Sequence, residues 1–327
     1  MTFTNSLYRA NKILLDISNA IVGMTFDPYR DIIVITGGAS GFGKEMVKLF
    51  KATGAKIAVL DLVVPEKDTE DHIDGVHYYR CDVSCRAQVI LNAKLIKEDL
   101  GPPTMLINNA GMAAGKLLLD LSFEEIEKEL EVNLLSSFYT IKSFLPDMLE
   151  MKRGYIITIG STLGYMSPVR LSVYGSSKAG LIALHESLTY ELGSPTLNPT
   201  GVKTLLICPG QMKTRLFDGV KTPSTLLAPE LDPRDVAKTV LKCVQIGRRG
   251  EIKIPFYGNF IPLFRSAPWP IVEVTRCVSG IDRSMKNFVA KTMDREGEPL
   301  SATFTNALTG TAVSIFNSLS PTEDKND

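Results

Sequence analysis

Short apolar runs alternate with longer segments of helical spacing along the middle of the chain. The apolar runs, each as long as a buried strand, are Ile32 to Ile35, Ile57 to Leu60, Val76 to Tyr79, Met105 to Ile107, Tyr155 to Ile159, Val202 to Ile207 and Glu251 to Ile254. The segments of helical spacing are Gly41 to Thr53, Ala87 to Leu100, Phe123 to Met151, Val173 to Leu192 and Arg234 to Ile246. Because parallel neighbouring strands need crossover helices, this alternation predicts an α/β fold with a doubly wound, mostly parallel sheet of about seven strands in a single domain.

Charge, cysteine content and hydropathy narrow the range of partners and locations. Lys and Arg together number 36, as do Asp and Glu, and no basic block stands out, so we expect no nucleic-acid partner. The five cysteines are scattered, which fits reduced intracellular thiols. Cys81 and Cys85 have no second pair or nearby histidine, so no metal site is predicted. No apolar run reaches the roughly 18 residues of a spanning helix, and the N-terminus lacks the apolar core of a signal peptide, so we expect an intracellular chain that does not cross a membrane.

A glycine-rich turn, TGGASGFG at residues 36–43, joins the first predicted strand to the first predicted helix. Glycines let the backbone approach a pyrophosphate, and the helix N-terminus favours its negative charge. The turn follows a strand and opens a helix, which favours a Rossmann-type dinucleotide site over an ordinary turn. The residues assigned to this cradle are Gly37, Ser40, Gly41, Phe42 and Gly43.

Asp61, at the end of the second predicted strand, indicates which dinucleotide binds. Its carboxylate can accept hydrogen bonds from both hydroxyls of the adenosine ribose, and it would repel a 2′-phosphate there. Ser40 before Gly41 offers no cation for such a phosphate. NAD(H) is therefore favoured. NADP(H) remains the alternative, with Lys56 or a later basic residue binding the phosphate.

Tyr174 and Lys178 predict acid–base chemistry. A spacing of four residues places both on one face of a helix, where the ammonium is expected to lower the pKa of the phenol. Ser161, thirteen residues before Tyr174, would hold a substrate oxygen and stabilise charge on it. Taken singly, Tyr174 reads as a helix aromatic, Ser161 as a turn hydroxyl and Asn133 as a polar helix residue. Their joint occurrence with the glycine turn favours catalysis.

Together these motifs resemble the short-chain dehydrogenase/reductase family, and the match runs from about Asp31 to Pro255. The further motifs that carry the resemblance are Asp82-Val83, Asn108-Asn109-Ala110-Gly111, Asn133, Ser161 and Pro209-Gly210. The resemblance implies adenine contacts at Asp82 and Val83, and a cofactor cleft lined by Asn109, Ala110 and Gly111. It also implies nicotinamide contacts at Pro209, Gly210 and Thr214, a ribose contact at Lys178, a water supported by Asn133 and a homodimer.

Two shorter segments resemble one branch of that family, the lipid-droplet hydroxysteroid and retinol dehydrogenases. They are Phe144 to Met148 and Thr222 to Pro229. The resemblance implies a steroid, retinoid or long-chain alcohol as substrate. Apolar residues between Gln211 and Pro233 suit such a ligand, although they would equally pack over the sheet or cover a partner subunit. The rival hypothesis is a nucleotide-binding sensor or scaffold without turnover.

The two ends of the chain differ from the central domain at residues 31–255. Residues 1–30 form an amphipathic appendage in which Ser6 to Met24 predicts a helix, lying either in a membrane interface or on the core. Residues 256–300 form an apolar extension. Prolines within Ile254 to Val274 oppose a regular helix, and we interpret this segment as a pocket wall that also docks on lipid, with a subunit contact as the alternative. This places the protein in the cytoplasm or on the surface of the endoplasmic reticulum or a lipid droplet. Residues 301–327 form a tail that is expected to be polar and disordered toward its end.

Overall fold

One seven-stranded sheet organises the residues that the computed structural model describes, which are 26–193, 199–217, 220 and 229–284. The strands are β1 (Ile32–Thr36), β2 (Lys56–Asp61), β3 (His77–Arg80), β4 (Met105–Asn108), β5 (Gly154–Ile159), β6 (Val202–Pro209) and β7 (Gly250–Ile254). Their order is β3-β2-β1-β4-β5-β6-β7, and every neighbouring pair is parallel. The predicted doubly wound fold is therefore confirmed, and in the described part of the chain the sheet is entirely parallel.

Helices connect and cover these strands. They are α1 (Gly41–Lys51), α2 (Arg86–Leu100), α3 (Phe123–Leu130), α4 (Ser136–Glu150), α5 (Ser172–Glu191), α6 (Pro233–Gln245), α7 (Ile261–Arg265) and α8 (Trp269–Ser279). The segment predicted as one helix from Phe123 to Met151 is divided by a π-helical turn at Glu131–Leu135. Among the described helices, none is long and apolar enough to cross a bilayer.

The core forms two layers because both faces of the sheet are covered. Ile33 and Ile35 of β1 pack with Phe50 of α1 and Val240 of α6. Val34, which points to the opposite face, packs with side chains of α2, α4 and α5. Parallel strands buried on both sides need continuous apolar runs, and this requirement explains the pattern seen in the sequence. Each fully buried aliphatic side chain of this kind contributes about 1.5–3 kcal/mol to folding.

The order of the strands reverses at β1, whose neighbours are β2 on one side and β4 on the other. In open parallel sheets, ligands bind outside the carboxyl ends of the strands at such a point. The glycine turn follows β1, and Asp61 is the last residue of β2. Asn109 comes after β4, and Ser161 comes after β5. The topology therefore gathers the predicted site residues at one edge.

The apolar extension after β7 contains two regular helices, so the prediction that its prolines oppose helix formation is wrong. Pro262 and Pro270 stand at the second position of α7 and α8. In the first turn of a helix the missing N–H of proline has no intrahelical partner to lose, and its restricted φ suits the helix. The prolines therefore begin these helices.

Some predicted features fall outside the described residues. These are the helix over Ser6 to Met24, most of the segment Thr222 to Pro229, and the tail at residues 301–327. The described residues belong to one compact unit.

Candidate active site

The glycine turn between β1 and α1 is closely packed against its own backbone. A Cβ atom on Gly43 would lie 1.9 Å from the carbonyl oxygen of Gly37, so only glycine fits at position 43. Gly37 and Gly41 have φ angles of 65° and 51°, which other residues rarely adopt. Phe42 is buried in the core and anchors the start of α1.

The start of α1 suits an anion. Ser40 is the N-cap residue, its side chain makes no capping hydrogen bond, and the fully described first turn of the helix carries no acidic residue. The amide groups and the helix dipole at this end therefore attract negative charge without competition from an acidic residue in the first turn of the helix. The turn fits the pyrophosphate of a dinucleotide.

Asn109 ties the turn after β4 to the turn after β1. Its Nδ2 donates to the carbonyl oxygens of Thr36 and Gly37, both at 3.0 Å. The hydroxyl of Thr36 accepts the N–H groups of Asn109 at 2.9 Å and of Ala110 at 3.0 Å. The side chain of Asn109 therefore shapes the cleft by holding the glycine turn.

Asp61 ends β2 beside the glycine turn. Its Oδ2 accepts the N–H of Ala39 at 2.9 Å, and its Oδ1 accepts the N–H of Val63 at 3.2 Å. Burial raises the pKa of Asp61, while these backbone hydrogen bonds act in the opposite direction. The carboxylate is thus held at the edge where the family resemblance expects the adenosine ribose.

The two basic candidates for a 2′-phosphate lie at different places. Lys56 begins β2, five residues before Asp61, which corresponds to roughly 16 Å along a strand. Lys56 is therefore at the wrong end of β2 for this role. Arg80 of β3 pairs in register with Asp61 and is exposed.

Asp82, after β3, is paired across the cleft with α3. Its carboxylate accepts hydrogen bonds from Lys128 Nζ at 2.8 Å and Ser84 Oγ at 2.6 Å. Burial opposes ionisation of Asp82, but the bonds from Lys128 and Ser84 outweigh it and hold the pKa below its usual value. Val83 is buried among the apolar side chains of the sheet face covered by α2.

Tyr174, Ser161 and Lys178 meet at the carboxyl end of β5. Tyr174 is 5% exposed, and its hydroxyl lies near enough to Ser161 for the serine side chain to act on its pKa. Lys178 Nζ lies 5.6 Å from the centre of the tyrosine ring and donates to the carbonyl oxygen of Ile159 at 2.9 Å. Ser161 Oγ also accepts the N–H of Leu163 at 3.1 Å, which orients the hydroxyl.

Electrostatics at this group differ from the sequence-based expectation. Burial raises the pKa of Tyr174, although the hydrogen bond from Ser161 opposes that shift. The pKa of Lys178 is lowered to about 8, also by burial. The predicted lowering of the Tyr174 pKa by Lys178 is therefore wrong for this structure, because removal of the phenolate from water dominates. At neutral pH Tyr174 is a phenol that can donate a proton.

Asn133 lies in the π-helical turn between α3 and α4 and is 1% exposed. Its Oδ1 accepts the N–H of Met112, and its Nδ2 donates to the carbonyl oxygen of the same residue, both at 2.8 Å. Nδ2 also lies 3.2 Å from Ser177 Oγ on α5. A Cβ atom on Gly111 would be 3.4 Å from Asn133 Oδ1 and 3.8 Å from Lys178 Nζ, so the three residues are neighbours.

The segment after β6 lies beside Tyr174. The N–H of Gly210 donates to Ile254 of β7 at 2.6 Å, and the carbonyl of Pro209 accepts the Thr162 hydroxyl at 3.4 Å. Thr214 precedes a short 3₁₀ turn at Arg215–Phe217. An apolar cluster encloses the tyrosine, and its members are Ala113, Leu163, Leu171, Tyr174, Leu216, Phe217 and Val220.

The C-terminal extension packs against the loop that follows Ser161. Gly258 lies close to Thr162, since a Cβ atom at position 258 would be 3.2 Å from Thr162 Cγ2. Arg265 donates to the carbonyl of Gly164 at 3.2 Å, and Arg276 donates to the carbonyl of Ser167 at 3.1 Å. The extension therefore lies against this loop, and its role as a wall of the substrate pocket stays a prediction.

Sequence reasoning missed Glu129 of α3. The residue is 2% exposed, and its Oε2 accepts the N–H of Ala114 at 3.2 Å. Its spacing of four residues from Asn133 was the available signal, because residues so spaced share a helix face. Because α3 contains several other glutamates that face solvent, the sequence alone did not distinguish Glu129 from them.

The fold and the site define a dinucleotide-binding oxidoreductase, and comparison with known proteins gives the family. The model of the short chain dehydrogenase family matches residues 31–224. The chain is 34% identical to the uncharacterized oxidoreductase YDL114W of Saccharomyces cerevisiae over 76% of its own length and 82% of that protein. It is 32% identical to human short-chain dehydrogenase/reductase 3 over 81% and 89% of the two chains. It is also 34% identical to estradiol 17-beta-dehydrogenase 11 of Pongo abelii over 64% and 70%.

Solved structures agree on the fold. A short-chain dehydrogenase from Streptomyces avermitilis matches with a TM-score of 0.62 at 20% identity, covering 77% of this chain and 99% of the other. A 3-ketoacyl-(acyl-carrier-protein) reductase from Brucella melitensis, complexed with NADH, matches with a TM-score of 0.58 at 20% identity, covering 68% and 97%. The chain belongs to the short-chain dehydrogenase/reductase family. It is an alcohol/carbonyl oxidoreductase that uses NAD(H) or NADP(H).

Proposed function

We propose that this protein is an NAD(H)-dependent oxidoreductase that interconverts an alcohol and a carbonyl group on a lipophilic substrate, namely a steroid, a retinoid or a long-chain alcohol. The observation that carries the proposal is a buried tyrosine beside Ser161 that is enclosed by apolar side chains. Phe217 meets the Tyr174 ring edge-on, with ring centres 5.5 Å apart. An apolar wall against the reacting hydroxyl favours a substrate whose body is itself apolar.

Tyr174 acts as the acid in carbonyl reduction and as the base in the reverse reaction. In reduction its phenol donates a proton to the carbonyl oxygen while a hydride reaches the carbonyl carbon. Ser161 holds the same oxygen and stabilises the charge that develops on it. Lys178, Thr214 and the Pro209-Gly210 turn would hold the nicotinamide ring, which when bound would supply or accept the hydride.

Asp61 supports the choice of NAD(H). Its oxygens are aimed by the backbone of Ala39 and Val63 at the end of β2. A carboxylate there accepts hydrogen bonds from ribose hydroxyls and repels a phosphate. The second candidate is NADP(H), which the exposed Arg80 beside Asp61 favours.

The extension after β7 supports attachment to a lipid surface of the endoplasmic reticulum or a lipid droplet. Large apolar side chains stand exposed along it, namely Phe256, Phe260, Leu263, Trp269, Ile271, Val274 and Val278. Exposed apolar side chains of this number mark an interaction surface.

Flotation with phosphatidylcholine vesicles tests this attachment. A double variant with serine in place of both Trp269 and Val278 should show a smaller fraction of protein floating with the vesicles. Deleting residues 1–24 tests the helix predicted from the sequence in the same assay, and unchanged flotation in both variants would exclude membrane attachment.

The homodimer is proposed from the family resemblance, and α4 offers exposed Phe138 and Leu149 for such a contact. Light scattering of the purified protein measures the subunit number directly. A monomer at all concentrations would exclude this part of the proposal.

A substrate screen tests the function as a whole. Steroid, retinoid and long-chain alcohols are offered with NAD or NADP, and the matching carbonyl compounds with NADH or NADPH, while absorbance of the nicotinamide is followed. We expect turnover of lipophilic members with NAD(H). Binding of NADH without any conversion across the panel would favour the sensor or scaffold instead.

A further inference from the structure

Glu129 is a buried carboxyl group with an incomplete set of hydrogen bonds. Its Oε2 accepts the N–H of Ala114 at 3.2 Å, whereas its Oε1 is buried and has no hydrogen-bond partner among the described residues. No ion pair of the described residues includes Glu129. A buried charge without a partner is expensive, so a residue of this kind calls for an explanation.

The position of Glu129 links it to the catalytic group. Glu129 accepts a hydrogen bond from the N–H of Ala114, and Asn133, four residues later, accepts one from the N–H of Met112. Ala114 and Met112 are two residues apart in the segment after β4. The carboxyl therefore lies on the same side of the helix as the amide of Asn133. That side packs against α5, which carries Tyr174 and Lys178.

The charged groups around Glu129 come from three places. The negative charge of Glu129 acts to raise the pKa of both Tyr174 and Lys178 of α5. It therefore disfavours the phenolate and favours the ammonium. Glu125, one turn earlier in α3, opposes ionisation of Glu129 but is itself paired with Lys116 from the segment after β4, at 2.5 Å. Burial is the main reason that the pKa of Glu129 rises to about 7. The carboxyl thus changes its charge within the working range of most enzymes.

We propose that Glu129 is a positioning residue for acid–base catalysis, whose buried carboxyl sets the protonation balance of Tyr174 and Lys178 and so the pH range of turnover. The proposal rests on the proposed function, in which Tyr174 exchanges the substrate proton. When Glu129 carries its charge, Tyr174 keeps its proton to higher pH. Carbonyl reduction needs the phenol, so it continues to higher pH. Alcohol oxidation needs the phenolate, so it begins only at higher pH.

The first test is the pH profile of kcat/KM in both directions for Glu129→Gln. Loss of the charge should move downward by about one pH unit the midpoint of the falling limb in carbonyl reduction and the midpoint of the rising limb in alcohol oxidation, as expected for one charge at short range in a partly buried site. Glu129→Asp keeps the charge and should stay within about 0.3 units of the wild type. Glu127→Gln removes the same charge from an exposed position of the same helix and should leave the profile unchanged. An unmoved midpoint in Glu129→Gln overturns the proposal.

The second test needs no catalysis. Because the folded-state pKa of Glu129 lies above its usual value of 4.5, the folded protein binds more protons than the unfolded chain between about pH 4.5 and 7. Its contribution to stability therefore falls as pH rises through that window. Glutamine cannot ionise, so the melting temperature of Glu129→Gln relative to wild type should rise from pH 5 to pH 8 by about 3 °C or more. Glu127→Gln should show no such trend.

A third measurement uses the wild-type chain and covers failure of the glutamine variant to fold. With ¹³C at the glutamate carboxyl carbons, one resonance should titrate near pH 7, well above the others. If every glutamate titrates below about pH 5.5, the proposal is wrong. If the carboxyl titrates as expected but Tyr174→Phe remains fully active, the proposed function fails while the ionisation of Glu129 stands.

Discussion

The two halves of the ligand edge of this sheet are built by different means. On the nucleotide half, around β1, β2 and β4, short hydrogen bonds to backbone groups hold Asn109 and Asp61, and glycine is required at position 43. On the substrate half, around β5 to β7, apolar side chains such as Leu216 and Phe217 provide the contacts. One half depends on polar geometry and the other on shape.

This difference matches what the proposed function requires each half to recognise. A dinucleotide presents fixed charges and hydroxyl groups, and a small displacement of a backbone donor loses its hydrogen bond. A lipophilic substrate presents surface, and apolar contacts tolerate rearrangement at modest cost. We therefore expect substitutions on the nucleotide half to have larger effects than substitutions on the substrate half.

The strongest expected effect lies where the halves meet. Tyr174→Phe removes the exchangeable proton but keeps the ring packed against Phe217. We expect kcat/KM to fall by about 10³-fold or more, within the range usual for loss of a general acid and its hydrogen bond. NADH affinity, measured by fluorescence titration, should remain within about twofold. Retention of full turnover would refute the mechanism.

Gly43→Ala tests the nucleotide half directly. The added Cβ would lie 1.9 Å from the carbonyl oxygen of Gly37, so the cradle must open. NADH binding should weaken by about 100-fold or more, since the backbone donors to the pyrophosphate move. Gly54→Asn is the matched control, because it lies outside the cradle beyond α1, the nearest atom to a Cβ there is 3.9 Å away and asparagine tolerates a positive φ. Equal losses in the two variants would contradict the role of position 43.

Asp61→Ser tests how the nucleotide half discriminates between cofactors. Loss of the carboxylate removes two acceptors for the ribose and the repulsion of a 2′-phosphate. The ratio of kcat/KM for NAD to that for NADP should fall by about tenfold or more. Arg80→Ala in the same background should reduce the use of NADP while leaving NAD unaffected. A wild-type preference for NADP would overturn the assignment to NAD(H).

Phe217→Ala tests the substrate half and should give the smallest effect of these substitutions. Its ring covers the Tyr174 ring edge-on, a contact of about 0.5–1.5 kcal/mol beyond the buried area. We expect KM for a steroid or long-chain alcohol to rise about five- to tenfold, with little change for a short alcohol. Phe123→Ala, at a ring that is 81% exposed on α3, is the control. Equal changes for long and short alcohols would show that Phe217 does not contact the body of the substrate.

Much of this protein could be predicted from local sequence. The apolar runs mark all seven described strands to within two residues, because strands buried on both faces admit few polar residues. The glycine turn and Asp61 were found by their positions at the ends of adjacent strands. Tyr174 and Lys178 were found by their four-residue spacing. Each of these signals depends only on residues close together in the chain.

The tertiary structure alone decided the features that arise from contacts between distant segments. It placed the π-helical turn that presents Asn133 to Met112, and it showed that burial moves the Tyr174 pKa upward. It also buried Glu129 of α3 beside the helix that carries Tyr174 and Lys178. The physical reason is common to all of these: burial and electrostatic environment depend on what packs against a residue, and a linear sequence does not contain that information locally.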